Sequence, residues 1–123
     1  MLELEQFPVL DPNEGLKGTN DDLTLLFESL ENLATNVIPT NIPLLQDAYT
    51  QKDWDKIKDL AHLIKSGAVY LGTIRLKYSC QYLEQYFKKG HTTLLDELYH
   101  QLIQVAEETR KKALNWLNRY NPK

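Results

Sequence analysis

Residues 53–72 read DWDKIKDLAHLIKSGAVYLG, and the spacing of their apolar members decides the fold. Placed at about 100° per residue, Trp54, Ile57, Leu60, Ala61, Ile64, Ala68 and Leu71 fall within an arc about 120° wide, the inward stripe of an amphipathic helix. Asp53 stands where a capping side chain belongs, and Gly72 where a helix closes in a left-handed turn. The spacing therefore predicts a helix from Trp54 to Leu71. His62 lies roughly 140° from the centre of the apolar arc, which turns its imidazole toward water. Lys58 one turn before it, and Lys65 and Ser66 one turn after, are its surface neighbours. Gly67 costs up to about 1 kcal/mol of helix stability relative to alanine, a cost that close approach of another backbone or protein explains.

Working outward, the punctuation marks further helices. Asp11-Pro12-Asn13-Glu14 reads as a capped helix start, and Gly15 and Gly18 hold that helix to about two turns. A second start is expected at Thr19 or Asn20, with Asp21 and Asp22 in the first turn, where negative charge suits the helix dipole. Leu23, Leu26, Phe27, Leu30, Leu33, Ala34 and Val37 then recur at helical spacing. Pro39 and Pro43 interrupt the pattern before Leu44, Leu45, Ala48 and Tyr49 resume it, which predicts a kinked helix or two pieces.

Beyond Gly72, Thr73 is expected to cap a segment from Ile74 to Lys89, with Leu76, Cys80, Leu83 and Phe87 on one side and Gly90 at its end. A last helix is expected from Thr92 or Thr93. Its seam is Leu95, Leu98, Leu102, Val105, Thr109, Ala113 and Trp116, and Asn121-Pro122-Lys123 reads as a frayed end. No segment alternates as a half-buried strand does. Short linkers between long amphipathic helices predict an all-α, up-and-down bundle with antiparallel neighbours.

The bulk properties narrow the function. A chain of 123 residues, 42% apolar and 25% charged, suits one folded domain. No apolar run reaches the roughly 18–20 residues of a membrane span. Met1-Leu2-Glu3-Leu4-Glu5 lacks a secretory signal, so a cytoplasmic location is expected. Cys80 is the only cysteine, which excludes an internal disulfide and a thiolate cluster. The net charge of −3, with acids and bases interleaved, argues against nucleic acid. Arg110-Lys111-Lys112 reads as a solvated helix face. His91 falls at a helix boundary and His100 on the last helix, and neither completes a metal site or a nucleophile–base pair. Gly15-Leu16-Lys17-Gly18 is too short for a phosphate loop. Tyr78, Tyr82 and Tyr86 form a ladder read as packing or interface.

An exposed histidine between lysines suits a carried phosphoryl group. Imidazole is largely uncharged and nucleophilic near neutral pH, and phosphorylation adds close to two negative charges that ammonium groups can offset. A lone surface histidine is nonetheless most often only that.

The stretch Ala61-His62-Leu63-Ile64-Lys65-Ser66-Gly67-Ala68-Val69-Tyr70-Leu71-Gly72 resembles the signature of histidine phosphotransfer (HPt) domains. That signature has histidine, then lysine three residues on, two small residues, and Leu-Gly closing the helix. Leu76, Cys80, Leu83 and Glu84 reproduce the family's Leu-x-x-x-Cys-x-x-Leu-Glu tail. Asp53-Trp54 and Leu10-Asp11 resemble its helix start and its opening. The similarity covers roughly residues 9–117.

The resemblance implies an antiparallel four-helix bundle with a short N-terminal helix laid across it, occupying residues 9–118 between short termini 1–8 and 119–123. It implies a monomeric phosphorelay carrier, without ATP-dependent kinase activity of its own, that exchanges a phosphoryl group on His62 with receiver-domain aspartates. Lys65, and Lys58 as a further candidate, would stabilise that group. Leu63, Ser66, Gly67 and Val69 would meet receiver partners or a hybrid histidine kinase, and Mg2+ would come from the receiver. The family usually places glycine before serine or alanine, whereas this chain has Ser66 before Gly67, leaving a hydroxyl beside the imidazole that would either donate to the phosphoryl group or hinder docking. The alternative is an unphosphorylated adaptor that binds a receiver or kinase through Leu63, Gly67 and Val69. A phosphatase using Gln81 and Glu84 is a weaker third reading.

Overall fold

Three aspartates mark where the chain turns helical. In the computed structural model, which describes residues 3–120, Asp11 accepts from the backbone N–H groups of Asn13 and Glu14 at the head of α1 (Pro12–Gly18). Asp22 accepts from Leu25 N–H at the head of α2 (Leu23–Asn32), and Asp53 from Lys56 N–H at the head of α4 (Trp54–Ala68). Each cap satisfies backbone donors that a helix start leaves without an internal partner. Between α2 and α4 lie a π-helical turn (Leu33–Val37) and α3 (Ile38–Thr50), followed by α5 (Ile74–Lys88) and α6 (Leu95–Arg119). Among the described residues the secondary structure is helical throughout, without a strand.

The bundle packs α4 between α3 and α5, α5 against α6, and α6 back against α2 and the π turn. Ile57, Ala61, Ile64 and Ala68 of α4 are fully buried, as are Leu76, Cys80 and Leu83 of α5 and Leu102, Ala106 and Ala113 of α6. Each large apolar side chain taken from water in this way contributes about 1.5–3 kcal/mol. Trp54 and Leu60, at the edges of the α4 stripe, are half-buried, as are Phe87 and Trp116, while Leu117 takes the buried place at the end of α6.

Several boundaries differ from expectation for local reasons. The second helix starts at Leu23 because Asn20 and Asp21 both adopt left-handed backbone, with φ of 60° and 63°, so Asp22 is the cap rather than a first-turn acid. The region of Pro39 and Pro43 stays helical. Neither proline has an N–H to give, and the π turn before them, where Ile38 N–H reaches back five residues to Leu33 O, absorbs the mismatch. Nearby, the buried Asn41 amide donates to Val37 O at 2.7 Å.

α4 ends at Ala68 rather than Leu71. The Ala68 carbonyl accepts from both Leu71 N–H and the Thr73 hydroxyl, so Thr73 stands at the N-cap of the next helix as expected but turns its hydroxyl back to close the preceding one. Gly72 does turn left-handed, at φ 79°, and α1 leans on it by backbone contact. A Cβ at Gly72 would lie 2.0 Å from Asp11 O, and one at Gly18 2.0 Å from Tyr70 O. α6 begins at Leu95 rather than at a threonine; its N-cap is Leu94, whose N–H donates to the Tyr86 hydroxyl, and no side chain caps the start. The tyrosine ladder packs as expected, half-buried, with Phe7 stacked on Tyr78 at 4.1 Å. The expected frayed end at Asn121–Lys123 lies outside the described residues.

Candidate functional site

His62 sits midway along α4 on the side away from the core, with 62% of its side chain exposed. The cap at Asp53 and the buried row of Ile57, Ala61 and Ile64 fix the rotation of α4, and that rotation holds the imidazole outward. Behind the ring lies Glu84 of α5. Its carboxylate, only 4% exposed, brings Oε2 to 3.1 Å from His62 Nδ1. Its other oxygen, Oε1, is 3.0 Å from the Lys65 ammonium. The Lys88 ammonium lies 4.0 Å from Oε2.

One buried carboxylate thus gathers a histidine and two lysines from two helices. Burying a carboxylate is tolerated where it is paired, and Lys65, itself mostly buried, supplies the nearest ammonium. A carboxylate facing an ammonium accepts hydrogen bonds and cannot donate them. A hydrogen bond to this carboxylate puts a proton on Nδ1, and Nε2, on the exposed side of the ring, is the nitrogen that faces away from Glu84.

The lysines are placed differently from the flanking arrangement read in the sequence. Lys65 turns inward to Glu84. Lys58 pairs along its own helix with Asp55 at 3.9 Å and Asp59 at 3.6 Å. Ser66 Oγ donates to the His62 backbone carbonyl at 2.9 Å. Lys58, Asp59, His62, Leu63, Ser66, Glu84 and Lys88 line one open hollow of about 520 Å³. Leu63 is half in solvent, at 52% exposure. Gly67 is exposed, and a Cβ there would meet only Val37 Cγ1, at 3.9 Å. Val69, by contrast, follows the end of α4 and lines a different hollow, shared with Tyr70 and Gly18.

Lys88 is the member of this cluster that the sequence reading leaves out, and Glu84, named there in the family's tail and in the phosphatase alternative, is not paired with His62. A signal for Glu84 existed. It follows Leu83 and stands four residues after Cys80, on the flank of the apolar face of α5, where a charge needs a partner. Cys80 is no rival nucleophile, since complete burial, reinforced by the Glu84 charge, holds its thiol pKa far above the usual range. Among the described residues no group of three or more His, Cys, Asp or Glu side chains is arranged to hold a metal ion, and no helix is long and apolar enough to cross a membrane.

No curated protein and no solved structure matches the chain. A family model does: the Hpt domain model matches residues 23–112, which span the helices that build this site. With well over half of its length matched, the chain belongs to the Hpt domain family.

Proposed function

We propose that this chain is a histidine-containing phosphotransfer protein of a two-component phosphorelay, carrying a phosphoryl group on His62 between receiver-domain aspartates. The observation that carries this reading is the 3.1 Å contact between His62 Nδ1 and the buried Glu84 carboxylate. A carboxylate accepting there favours the proton on Nδ1, the tautomer that leaves Nε2 for the reaction. In the forward step the Nε2 lone pair attacks phosphorus of the receiver's aspartyl phosphate in line. The N–P bond forms as the bond from phosphorus to the aspartyl oxygen breaks, and the aspartate leaves as a carboxylate. The ring keeps its Nδ1 proton and becomes a cationic phosphoimidazolium, facing the Glu84 charge. The reverse step returns the phosphoryl group to an aspartate.

Positioning and charge neutralisation supply the rate, so a rigid carrier needs no base of its own. Lys65 stabilises the adduct by bracing Glu84 behind the ring, and Mg2+ is assigned to the receiver. Leu63, Ser66 and Gly67 form the docking surface around the ring, and Val69 its margin. The working unit is residues 9–118, a monomeric antiparallel four-helix bundle in which α2, the π turn and α3 make one long arm and α1 lies across the end. Its place is the cytoplasm, beside receivers and a hybrid kinase.

The test is incubation with a panel of labelled phospho-receivers, following the label with time. At least one receiver should charge the protein and take the label back. A panel from which no label moves, under conditions where the same receivers charge another phosphotransfer protein, contradicts the proposal.

A further inference from the structure

We infer that Lys88 is a phosphoryl-binding residue of this site, held on Glu84 while His62 is free and released to the phosphoryl oxygens when His62 is charged. This rests on the carrier reading of His62. The Lys88 ammonium and the His62 ring share one oxygen of Glu84, at 4.0 Å and 3.1 Å. Lys88 also lines the same hollow as His62 and is 62% exposed, so a change of side-chain torsions moves its ammonium without disturbing the core. At 4.0 Å, the limit of an ion pair, an ammonium on an exposed side chain is held only weakly even by a buried carboxylate.

Charging His62 changes both sides of the balance. The ring becomes a cation beside Oε2, so it repels Lys88 from that oxygen and takes up more of the Glu84 charge. The phosphoryl group adds close to two negative charges on the solvent side of the ring and attracts the ammonium. Lys65 does not move so readily, being mostly buried and 3.0 Å from the other Glu84 oxygen. Lys58 shares the hollow, but Asp55 and Asp59 hold it, and phosphorylation weakens neither contact. Glu84 therefore acts as a store of positive charge that the adduct itself draws upon.

The test uses the full chain with phosphoramidate, a small phosphodonor that needs no partner protein, and reads phosphohistidine occupancy by phosphorus NMR. At low ionic strength Lys88→Gln should lower occupancy at a fixed donor concentration about tenfold. Lys88→Arg should restore it to within about threefold, and Lys111→Gln, an equal change of charge on the exposed surface of α6 outside the hollow, should match the parent. In roughly 1 M salt, where screening acts over about 3 Å, the gap between parent and Lys88→Gln should close. Equal occupancy in parent and Lys88→Gln at low salt overturns the assignment, and so does an equal loss in Lys111→Gln. Failure of the parent to charge on His62 overturns instead the carrier reading beneath it.

Discussion

His62 and His100 look alike by the usual surface criteria. Their side chains are 62% and 61% exposed, and each directs Nδ1 toward an acid, Glu84 at 3.1 Å and Asp96 at 3.5 Å. The difference lies behind the ring. Glu84 is buried, comes from a neighbouring helix and is braced by Lys65. Asp96 is 59% exposed, sits one turn back on the same helix, accepts from the Tyr49 hydroxyl, and leaves its backbone carbonyl as the nearer acceptor for His100 at 2.8 Å. The surroundings differ as well. Glu5, Asp96, Glu97 and Glu108 line the hollow beside His100, where Arg75 is bound to Glu108 at 3.6 Å, so a phosphoryl dianion there would face acids. The rings of Tyr49 and Tyr99 also hem His100 in, at 5.2 Å and 5.0 Å. Exposure alone does not make a histidine an acceptor. What sets His62 apart is the buried, braced counter-charge behind its ring.

The contrast can be broken most forcefully at the two acids. Glu84→Gln keeps the shape but removes the charge that holds the Nδ1 proton, and should slow transfer to His62 about 10–100-fold, the usual scale for losing a partner that orients a histidine. Asp96→Asn should leave the rate within about twofold, because its carboxylate is solvated and turned to Tyr49. Single-turnover transfer from a labelled phospho-receiver measures both, and equal effects would dissolve the distinction.

Room is the next asymmetry. Gly67→Trp places a ring where a receiver must approach and should reduce transfer at least tenfold, about 1.4 kcal/mol at the interface. Gly67→Ala should instead raise unfolding stability by up to about 1 kcal/mol, since its Cβ meets Val37 only at ordinary contact distance. Denaturant melts and transfer rates on the same two proteins separate docking from folding. A destabilised Gly67→Ala variant would mean that the glycine serves the fold.

The smallest effect is expected at Ser66. Its hydroxyl already donates to the His62 carbonyl, so Ser66→Ala should change transfer by no more than about twofold, and a larger loss would assign the hydroxyl to the phosphoryl group.

Much of the fold was legible in the sequence because an amphipathic helix writes its orientation in its spacing. Ile57, Ala61, Ile64 and Ala68 mark the inner face of α4, and from them alone His62 is turned outward. The π turn was not legible. It depends on how Leu33 and Ala34 seat in the core while Pro39 and Pro43 withhold donors, a compromise settled in three dimensions. The left-handed pair Asn20 and Asp21 hid for a related reason, as either aspartate that follows Asn20 makes an acceptable cap. At the site, the outward position of His62 was readable but the buried acid behind its ring was not. Lysines at 58 and 65 suggested cations beside the ring, whereas the nearest charge is the carboxylate of Glu84, 22 residues away along the chain. Helical periodicity reports which face a residue occupies. Partners on another helix are beyond it.

The most direct test is to map the phosphoryl label by mass spectrometry under alkaline conditions, after charging the parent, His62→Gln and His100→Gln from the same phospho-receiver. The account predicts an acid-labile, base-stable label on His62 in the parent and in His100→Gln, and none in His62→Gln. A His62→Gln protein carrying the parent's full label, or a label found on His100, contradicts it.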